Sequence, residues 1–194
     1  MRHQLYHAPL SPMPDIPVPN HYGAFGVKRR HDVHRGVDLY CEVGSTVCAI
    51  ESGTVVHVDP HFTGPEDDTP WWNPTEAVYI EGDTGCFCYG EIRITRCAGV
   101  LDDEKREQLK DEEFFKELPF FFKEGDEVKA GDGLGTVLQV LKEDKGKPMS
   151  MLHMELHRHG YKHRIEHRIY EMQLDPTLVL MQCRSKPKNV FGFF

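Results

Sequence analysis

Residues 34–58 read HRGVDLYCEVGSTVCAIESGTVVHV, and this stretch decides the fold. Short runs of β-branched residues alternate here with Glu-Val-Gly-Ser and Glu-Ser-Gly, which are turn-forming sequences. The same alternation returns in residues 77–94, AVYIEGDTGCFCYGEIRI, and in residues 120–141, FFFKEGDEVKAGDGLGTVLQVL. Many short strands joined by tight turns predict an all-β sandwich or barrel.

The segments between these strands differ in composition. Residues 59–76 are rich in turn formers and predict a long loop, whereas residues 150–157 alternate imperfectly and predict a further strand. Residues 102–118 are highly charged, contain neither Gly nor Pro and precede Pro119, so they predict an inserted surface helix. The first twenty residues hold five prolines, which favours an extended arm or a packed loop.

Charge and length exclude several classes of protein. The chain has 194 residues, 23 basic and 31 acidic, for a formal net charge of −8. An acidic chain is a poor non-specific binder of nucleic acid, and no apolar run approaches the roughly 20 residues that cross a bilayer. The N-terminal stretch lacks the apolar core of a secretory signal. We therefore expect a protein that is cytoplasmic at synthesis, unless lysis or a virion carries it out.

The six cysteines are too sparse for a disulfide scaffold in a chain of this length. Cys86 and Cys88 are two residues apart in a predicted strand and should share one of its faces. A single intervening residue is not the spacing of a zinc finger, so we predict buried free thiols at these two positions.

His34 and Asp38, spaced H-x-G-x-D, and His153 in L-H-M-E-L form a candidate zinc site. Two His and one Asp suit a tetrahedral zinc with one position open to water. In a straight strand residues four apart are about 13 Å apart, whereas ligand atoms on one zinc are only about 3–3.5 Å apart. The chain must therefore bend at Gly36. Two other interpretations stay open at this point, a structural hydrogen bond between His34 and Asp38 and a buried core role for His153.

Six blocks between about Gly23 and Leu180 resemble, in the same order, the lysostaphin-type zinc endopeptidases, which cut peptide cross-bridges in peptidoglycan. The blocks are Gly23–Arg29, His34–Leu39, Gly44–Ala49 with Ser52–Val55, Glu124–Gly135, His153–Gly160 and Asp175–Leu180. The resemblance implies an antiparallel β-sandwich, or a hybrid of barrel and sandwich, with one zinc ion held by His34, Asp38 and His153. It predicts a domain over residues 23–181 with insertions at 59–76 and 92–119, an N-terminal arm over 1–22 and a tail over 182–194.

The chain departs from this family at two positions. The family carries catalytic histidines in "Y-x-H" and "H-x-H" motifs, where this chain has Glu91 and Met151. Glu91 is a candidate general base if it reaches a zinc-bound water. A thioether donates no hydrogen bond, so Met151 cannot stabilise an oxyanion, and Tyr89 or a histidine from an insertion would have to do so. The resemblance therefore suggests a degenerate member of the family.

Three functions follow from this interpretation. The first is a zinc-binding, non-catalytic protein that binds a peptide, a peptidoglycan fragment or a protein partner in the metal groove. The second is an active metalloendopeptidase with Glu91 as base, and the third is an architectural subunit of a larger assembly. Residues 34–47 are also similar to the vertebrate leukocyte chemotaxin, which keeps the metal triad without the catalytic histidines. Trp71 and Trp72 line the groove or pack the loop; in an extended segment only one of them would face a ligand.

Overall fold

A computed structural model describes residues 6–29, 33–97, 122–144, 146–162 and 173–184. Its strands are β1 Val37–Tyr40, β2 Thr46–Cys48, β3 Gly53–Thr63, β4 Thr75–Gly82, β5 Cys86–Cys97, β6 Glu127–Val128, β7 Gly133–Val137, β8 Met151–His157 and β9 Gln173–Leu174. A short 3-10 helix, Pro65–Asp67, lies between β3 and β4, and the α-helix α1, Thr177–Arg184, follows β9.

All strand pairs of the described residues are antiparallel. The main path of the sheet runs β1-β8-β5-β4-β3-β6, while β7 pairs with β5 and β2, and β9 pairs with β8. The predicted all-β fold is therefore confirmed. The sequence 102–118, predicted as an inserted helix, lies outside the described residues.

Two tight turns on either side of β6 show why the sequence forms hairpins here. In each turn a glycine with positive φ, Gly125 or Gly131, precedes an aspartate. The aspartate accepts a hydrogen bond from the backbone N–H three residues earlier, at 3.1 Å for Asp126 and 2.9 Å for Asp132. The carboxylate thus closes a turn that the glycine permits, and the predicted turns are confirmed.

Strand β5 changes its neighbour half-way along its length. Cys86–Gly90 pair with β8, whereas Ile92–Cys97 pair with β7. On the other side, Gly90 is opposite Ala77 and Ile92 is opposite Glu76, so Glu91 is an extra residue in the β4–β5 ladder. Its φ of 65° lies in the left-handed region, which a non-glycine residue rarely adopts. Glu91 therefore forms a β-bulge where the sheet divides, and bulges redirect side chains.

The two faces of the sheet bury different sets of residues. One face packs the main core, to which the N-terminal segment adds Leu10 and α1 adds Leu180. The other face carries a smaller cluster of Ala77, Tyr79, Cys86, Cys88 and Tyr161. Cys86 and Cys88 are buried on this second face and are not in a disulfide bond, as predicted.

One local expectation was wrong. The stretch 59–76 is not a loop throughout, because β3 continues to Thr63 and β4 begins at Thr75. These two threonines are register partners, and their hydroxyl groups lie 2.7 Å apart. Cross-strand pairing thus outweighs the turn-forming composition of the stretch. The proposed division into arm, domain, insertions and tail stays a prediction. In the described part of the chain, no helix is long and apolar enough to cross a membrane.

Candidate metal centre

Main-chain pairing on the N-terminal side of β1 positions His34. The backbone of residues 23–27 lies beside that of residues 34–38, with hydrogen bonds from Gly26 N to His34 O, from His34 N to Val27 O and from Asp38 N to Gly23 O at 2.8–2.9 Å. The imidazole Nδ1 of His34 lies 2.9 Å from the carbonyl oxygen of Ala24. Because a carbonyl only accepts, this nitrogen carries the hydrogen, and Nε2 is left to face the centre.

Strand pairing brings His153 to Asp38 across 115 residues of sequence. The two are register partners in the β1–β8 ladder and therefore share one face of the sheet. A bend at Gly36 brings His34 to the same place. A Cβ at Gly36 would lie 2.7 Å from Nε2 of His153 and 2.5 Å from the carbonyl oxygen of Met154. Glycine is needed here because the His153 ring packs directly on the backbone.

The three side chains predicted to bind metal converge on one point. His34 Nε2 lies 3.1 Å from Asp38 Oδ1 and 3.3 Å from His153 Nδ1, and His153 Nδ1 lies 2.8 Å from Asp38 Oδ1. Ligand atoms of one tetrahedral zinc are about 3.3 Å apart, so the arrangement needs only a small expansion to hold the ion. Three protein ligands leave a fourth position for water or another ligand.

Each imidazole has a second partner that fixes its orientation. The Nδ1 of His34 is held by Ala24, and Nε2 of His153 lies 3.2 Å from Oε1 of Glu155. The other oxygen of Glu155 is 2.8 Å from Nε2 of His157 and accepts a hydrogen bond from Gln173 at 3.1 Å. Metal-binding histidines in proteins have outer partners of this kind.

A cation supports the carboxylate ligand from the other side. Arg29 donates from Nη2 to Oδ2 of Asp38 at 2.7 Å and to the carbonyl oxygen of Tyr22 at 3.1 Å. Since Oδ2 is bound to Arg29, Oδ1 is the oxygen that faces the two imidazoles. The guanidinium therefore fixes which carboxylate oxygen points at the centre.

The buried groups of the centre have shifted pKa values. Burial alone would raise the pKa of Asp38, but hydrogen bonds from His153 and His34 lower it below its ordinary range. Burial opposes charge on His153, but the hydrogen bonds to Asp38 and Glu155 raise its pKa well above the usual value. Burial would likewise raise the pKa of Glu155, which the hydrogen bonds from His153 and His157 lower. The carboxylates of Asp38 and Glu155 thus favour the protonated, positively charged form of His153.

A cavity of about 360 Å³ opens beside these side chains, and Asp38, Glu91 and Met151 are among the residues that line it. The Glu91 carboxyl is buried, and within the described residues its Oε2 has no hydrogen-bond partner. Burial, followed by the nearby charge of Asp38, raises the pKa of Glu91 to about 8. The structure therefore places Glu91 and Met151 at the same cavity as Asp38.

Aromatic residues form other parts of this region. Trp72 lines the cavity, whereas Trp71 is 57% exposed, so one of the two tryptophans faces it. Phe62 packs over Gly90, where a Cβ would lie 2.4 Å from its ring, and its ring centroid is 5.7 Å from that of His153. Tyr89 points the other way, because its hydroxyl accepts a hydrogen bond from Ile50 N in the main core. Of the two alternatives for an oxyanion donor, Tyr89 or a histidine from an insertion, the structure therefore does not support Tyr89.

Solved structures share this architecture. The antimicrobial peptidase lysostaphin from Staphylococcus simulans matches with a TM-score of 0.54 and 16% sequence identity, over 97% of this chain and 62% of that chain. Its separately crystallised catalytic domain matches with a TM-score of 0.50 and 18% identity, over 90% of this chain and 98% of that chain. The chain has the lysostaphin-type peptidase fold.

The lysostaphin-type fold is established by structure alone. No model of a protein family and no curated protein matches the sequence. The match to lysostaphin includes 97% of this chain, but this chain spans less than two thirds of the length of that lysostaphin. The chain therefore combines the lysostaphin-type peptidase fold with a His/Asp/His group that could hold a metal ion.

Three residues of the candidate site were not predicted from the sequence. Arg29 is the last residue of the first block of the resemblance, but that block does not indicate the contact between Arg29 and Asp38. Glu155 follows His153 by two residues in a predicted strand, a spacing that puts both on one face and was a usable signal. Phe62 offered no such signal, because its stretch was predicted to be a loop.

Proposed function

We propose that this chain is a zinc-binding protein that holds a peptide in the cavity beside the metal and hydrolyses it slowly or not at all. The observation that carries the proposal is the convergence of His34, Asp38 and His153 at a cavity that is also lined by Met151. The metal residues support zinc binding, while the cavity has Glu91 and the apolar Met151 at the positions where the resemblance expects two catalytic histidines.

His34, Asp38 and His153 would hold the zinc through Nε2, Oδ1 and Nδ1. When bound, zinc supplies a Lewis acid and lowers the pKa of a water in its open position. Arg29 keeps Asp38 oriented, and Glu155 keeps His153 oriented through Nε2. These two contacts are made by the chain itself and support a preorganised site.

Met151 is the main argument for weak hydrolysis. In the resemblance to lysostaphin-type peptidases its position belongs to a catalytic histidine. A thioether donates no hydrogen bond, and losing one oxyanion donor costs about 10²–10³ in rate. Tyr89 cannot replace that donor, since its hydroxyl is bound to Ile50 in the core.

Glu91 favours a second candidate function, an active zinc peptidase that cuts peptidoglycan cross-bridges or other peptides. Its carboxyl is buried and has one oxygen without a hydrogen-bond partner among the described residues, and its backbone has a left-handed conformation at a bulge. Strained and buried polar groups cluster at functional sites. A carboxylate in this place is able to take a proton from water, the role of a general base.

Metal analysis and a cleavage assay separate these functions. Purified full-length protein should contain one zinc per chain and release little product from oligoglycine or peptidoglycan. Met151→His should raise chelator-sensitive cleavage, while Met181→His, at an exposed position on α1, should not. Absence of zinc at stoichiometric level would favour the architectural role. Rapid cleavage that disappears in Glu91→Ala would favour the active peptidase.

A further inference from the structure

The cavity beside the metal centre is unusually cationic for this chain. The whole sequence has 23 basic and 31 acidic residues. The cavity lining reverses this balance, with Lys28, Arg29 and Lys147 against Asp38 and Glu91. Asp38 is already paired with Arg29. The lining therefore has more basic than acidic side chains, and its carboxylates do not neutralise all of its positive charge.

Arg29 has hydrogen-bonding capacity left for a ligand. Both of its hydrogen bonds, to Asp38 and to the Tyr22 carbonyl, are made by Nη2. The side chain is 31% exposed and lines the cavity, so Nε and Nη1 remain as donors toward it. Each of these two nitrogens can donate a charge-assisted hydrogen bond to a carboxylate oxygen, although they do not share one edge of the guanidinium, because both two-donor edges include Nη2.

Two lysines from separate segments reach the same cavity. Lys28 precedes the segment that carries His34, whereas Lys147 lies in the loop before β8. The Lys147 ammonium lies 4.5 Å from the centroid of the Tyr22 ring, a contact that restrains it without using its hydrogen-bond donors.

Two other lysines of the described residues are engaged. Lys162 pairs with Glu124, and Lys142 donates to the carbonyl oxygen of Pro70 at 2.7 Å. Within the described residues, neither Lys28 nor Lys147 pairs with a carboxylate. Their positive charge is therefore available at the solvent side of the cavity.

We propose that the cavity binds its peptide through a free carboxylate, held by an Nε or Nη1 donor of Arg29 and by Lys28 and Lys147. This inference rests on the proposed peptide-binding function and adds the chemical class of the ligand. Val27, Trp72 and Leu141 line the same cavity and would contact the neighbouring apolar part of the peptide. Its volume of about 360 Å³ suits a short segment, since small-ligand pockets measure about 300–1,000 Å³.

Calorimetry with three probes tests the inference on the full chain, with zinc and after chelation. The probes are trialanine with a free carboxyl terminus, trialanine amide, and Ala-Glu-Ala amide, which has a carboxylate only in its side chain. We expect at least one carboxylate probe to bind about tenfold more tightly than trialanine amide. The stronger of the two carboxylate probes identifies whether a terminal or a side-chain carboxylate is recognised.

Variants identify the cations. Lys28→Met with Lys147→Met should abolish the preference over the amide, whereas Lys142→Met removes the same kind of charge outside the cavity and should leave it. Equal binding of all probes, or no binding by protein that retains zinc, overturns the inference and leaves the zinc site intact. If the purified protein contains no zinc, that result counts against the proposed function and not against the carboxylate inference. The chelated protein then decides the inference, because the three cations do not depend on the metal.

Discussion

Glu155 holds the imidazole of His153 from the side opposite Asp38, with its Oε1 3.2 Å from Nε2. His153 thereby lies between two carboxylates, one on β1 and one on its own strand. The ring has no freedom to turn its Nδ1 away from the centre. This relationship makes Glu155 a positioning residue for the proposed zinc ligand.

Glu155→Gln should lower zinc affinity by about 10–100-fold, because an amide oxygen is a weaker partner for the imidazole N–H than a carboxylate. Competition with a chelating dye measures the affinity, and circular dichroism checks the fold. Glu127→Gln, at an exposed position on β6, is the matched control and should bind zinc like the parent chain. Unchanged affinity in Glu155→Gln would remove Glu155 from the site.

Zinc affinity should continue to rise with pH above 6.5, the ordinary pKa of histidine. The pKa of His153 is raised by its hydrogen bonds to two carboxylates, so zinc must displace a proton until the pH exceeds that higher value. The apparent dissociation constant should fall by up to about tenfold per pH unit in this range. Titrations at a series of pH values measure it.

The Glu155→Gln variant is the internal check on this pH dependence. Removing one of the two carboxylates should lower the pKa of His153, so the rise in affinity should end at a lower pH. A dependence that ends near 6.5 in the parent chain would contradict the raised pKa.

Glu91→Gln should stabilise the metal-free protein at neutral pH. The pKa of this buried carboxyl rises from 4.5 to about 8 on folding, so the folded state binds more protons than the unfolded state between these values. Stability is therefore lost as the pH rises from 4.5 to about 8. The glutamine side chain does not ionise, so the variant does not lose this part of its stability. Urea unfolding in chelator should show a difference between the two proteins that grows over this range, and a constant difference would contradict it.

Gly36→Ala should abolish stoichiometric zinc binding and destabilise the fold by about 1–3 kcal/mol. The new methyl group would meet the His153 ring and the carbonyl of Met154, which cannot both move away. Metal analysis and thermal unfolding measure the two effects. Arg35→Ala, at the exposed neighbouring position, should change neither. Zinc retention in Gly36→Ala would mean that the ring does not pack there.

The strands were predictable because they are local features. β-branched runs, positive-φ glycines and Asp-closed turns act within a few residues, so β4, β5, β6, β7 and β8 lie where the sequence placed them. The strands at the ends of 59–76 were missed because the pairing of Thr63 with Thr75 depends on a partner twelve residues away.

The candidate site was predictable in part. His34, Asp38 and His153 were chosen by residue type and by resemblance, and their convergence needed the register of β1 on β8. The contact of Arg29 with Asp38 and the bulge at Glu91 depend on how segments cross, which no spacing in the sequence reveals.

The hydrogen bond from His34 to Ala24 uses a carbonyl of the polypeptide backbone, not a side chain. Amino-acid replacement at position 24 cannot delete that acceptor. The donor nitrogen of His34 therefore keeps its partner when side chains nearby are replaced, whereas residues 91 and 151 line the cavity with side chains that a substitution changes directly. A chain with this architecture can therefore change the side chains at positions 91 and 151 and still hold the His34 imidazole in the orientation that a metal ion needs.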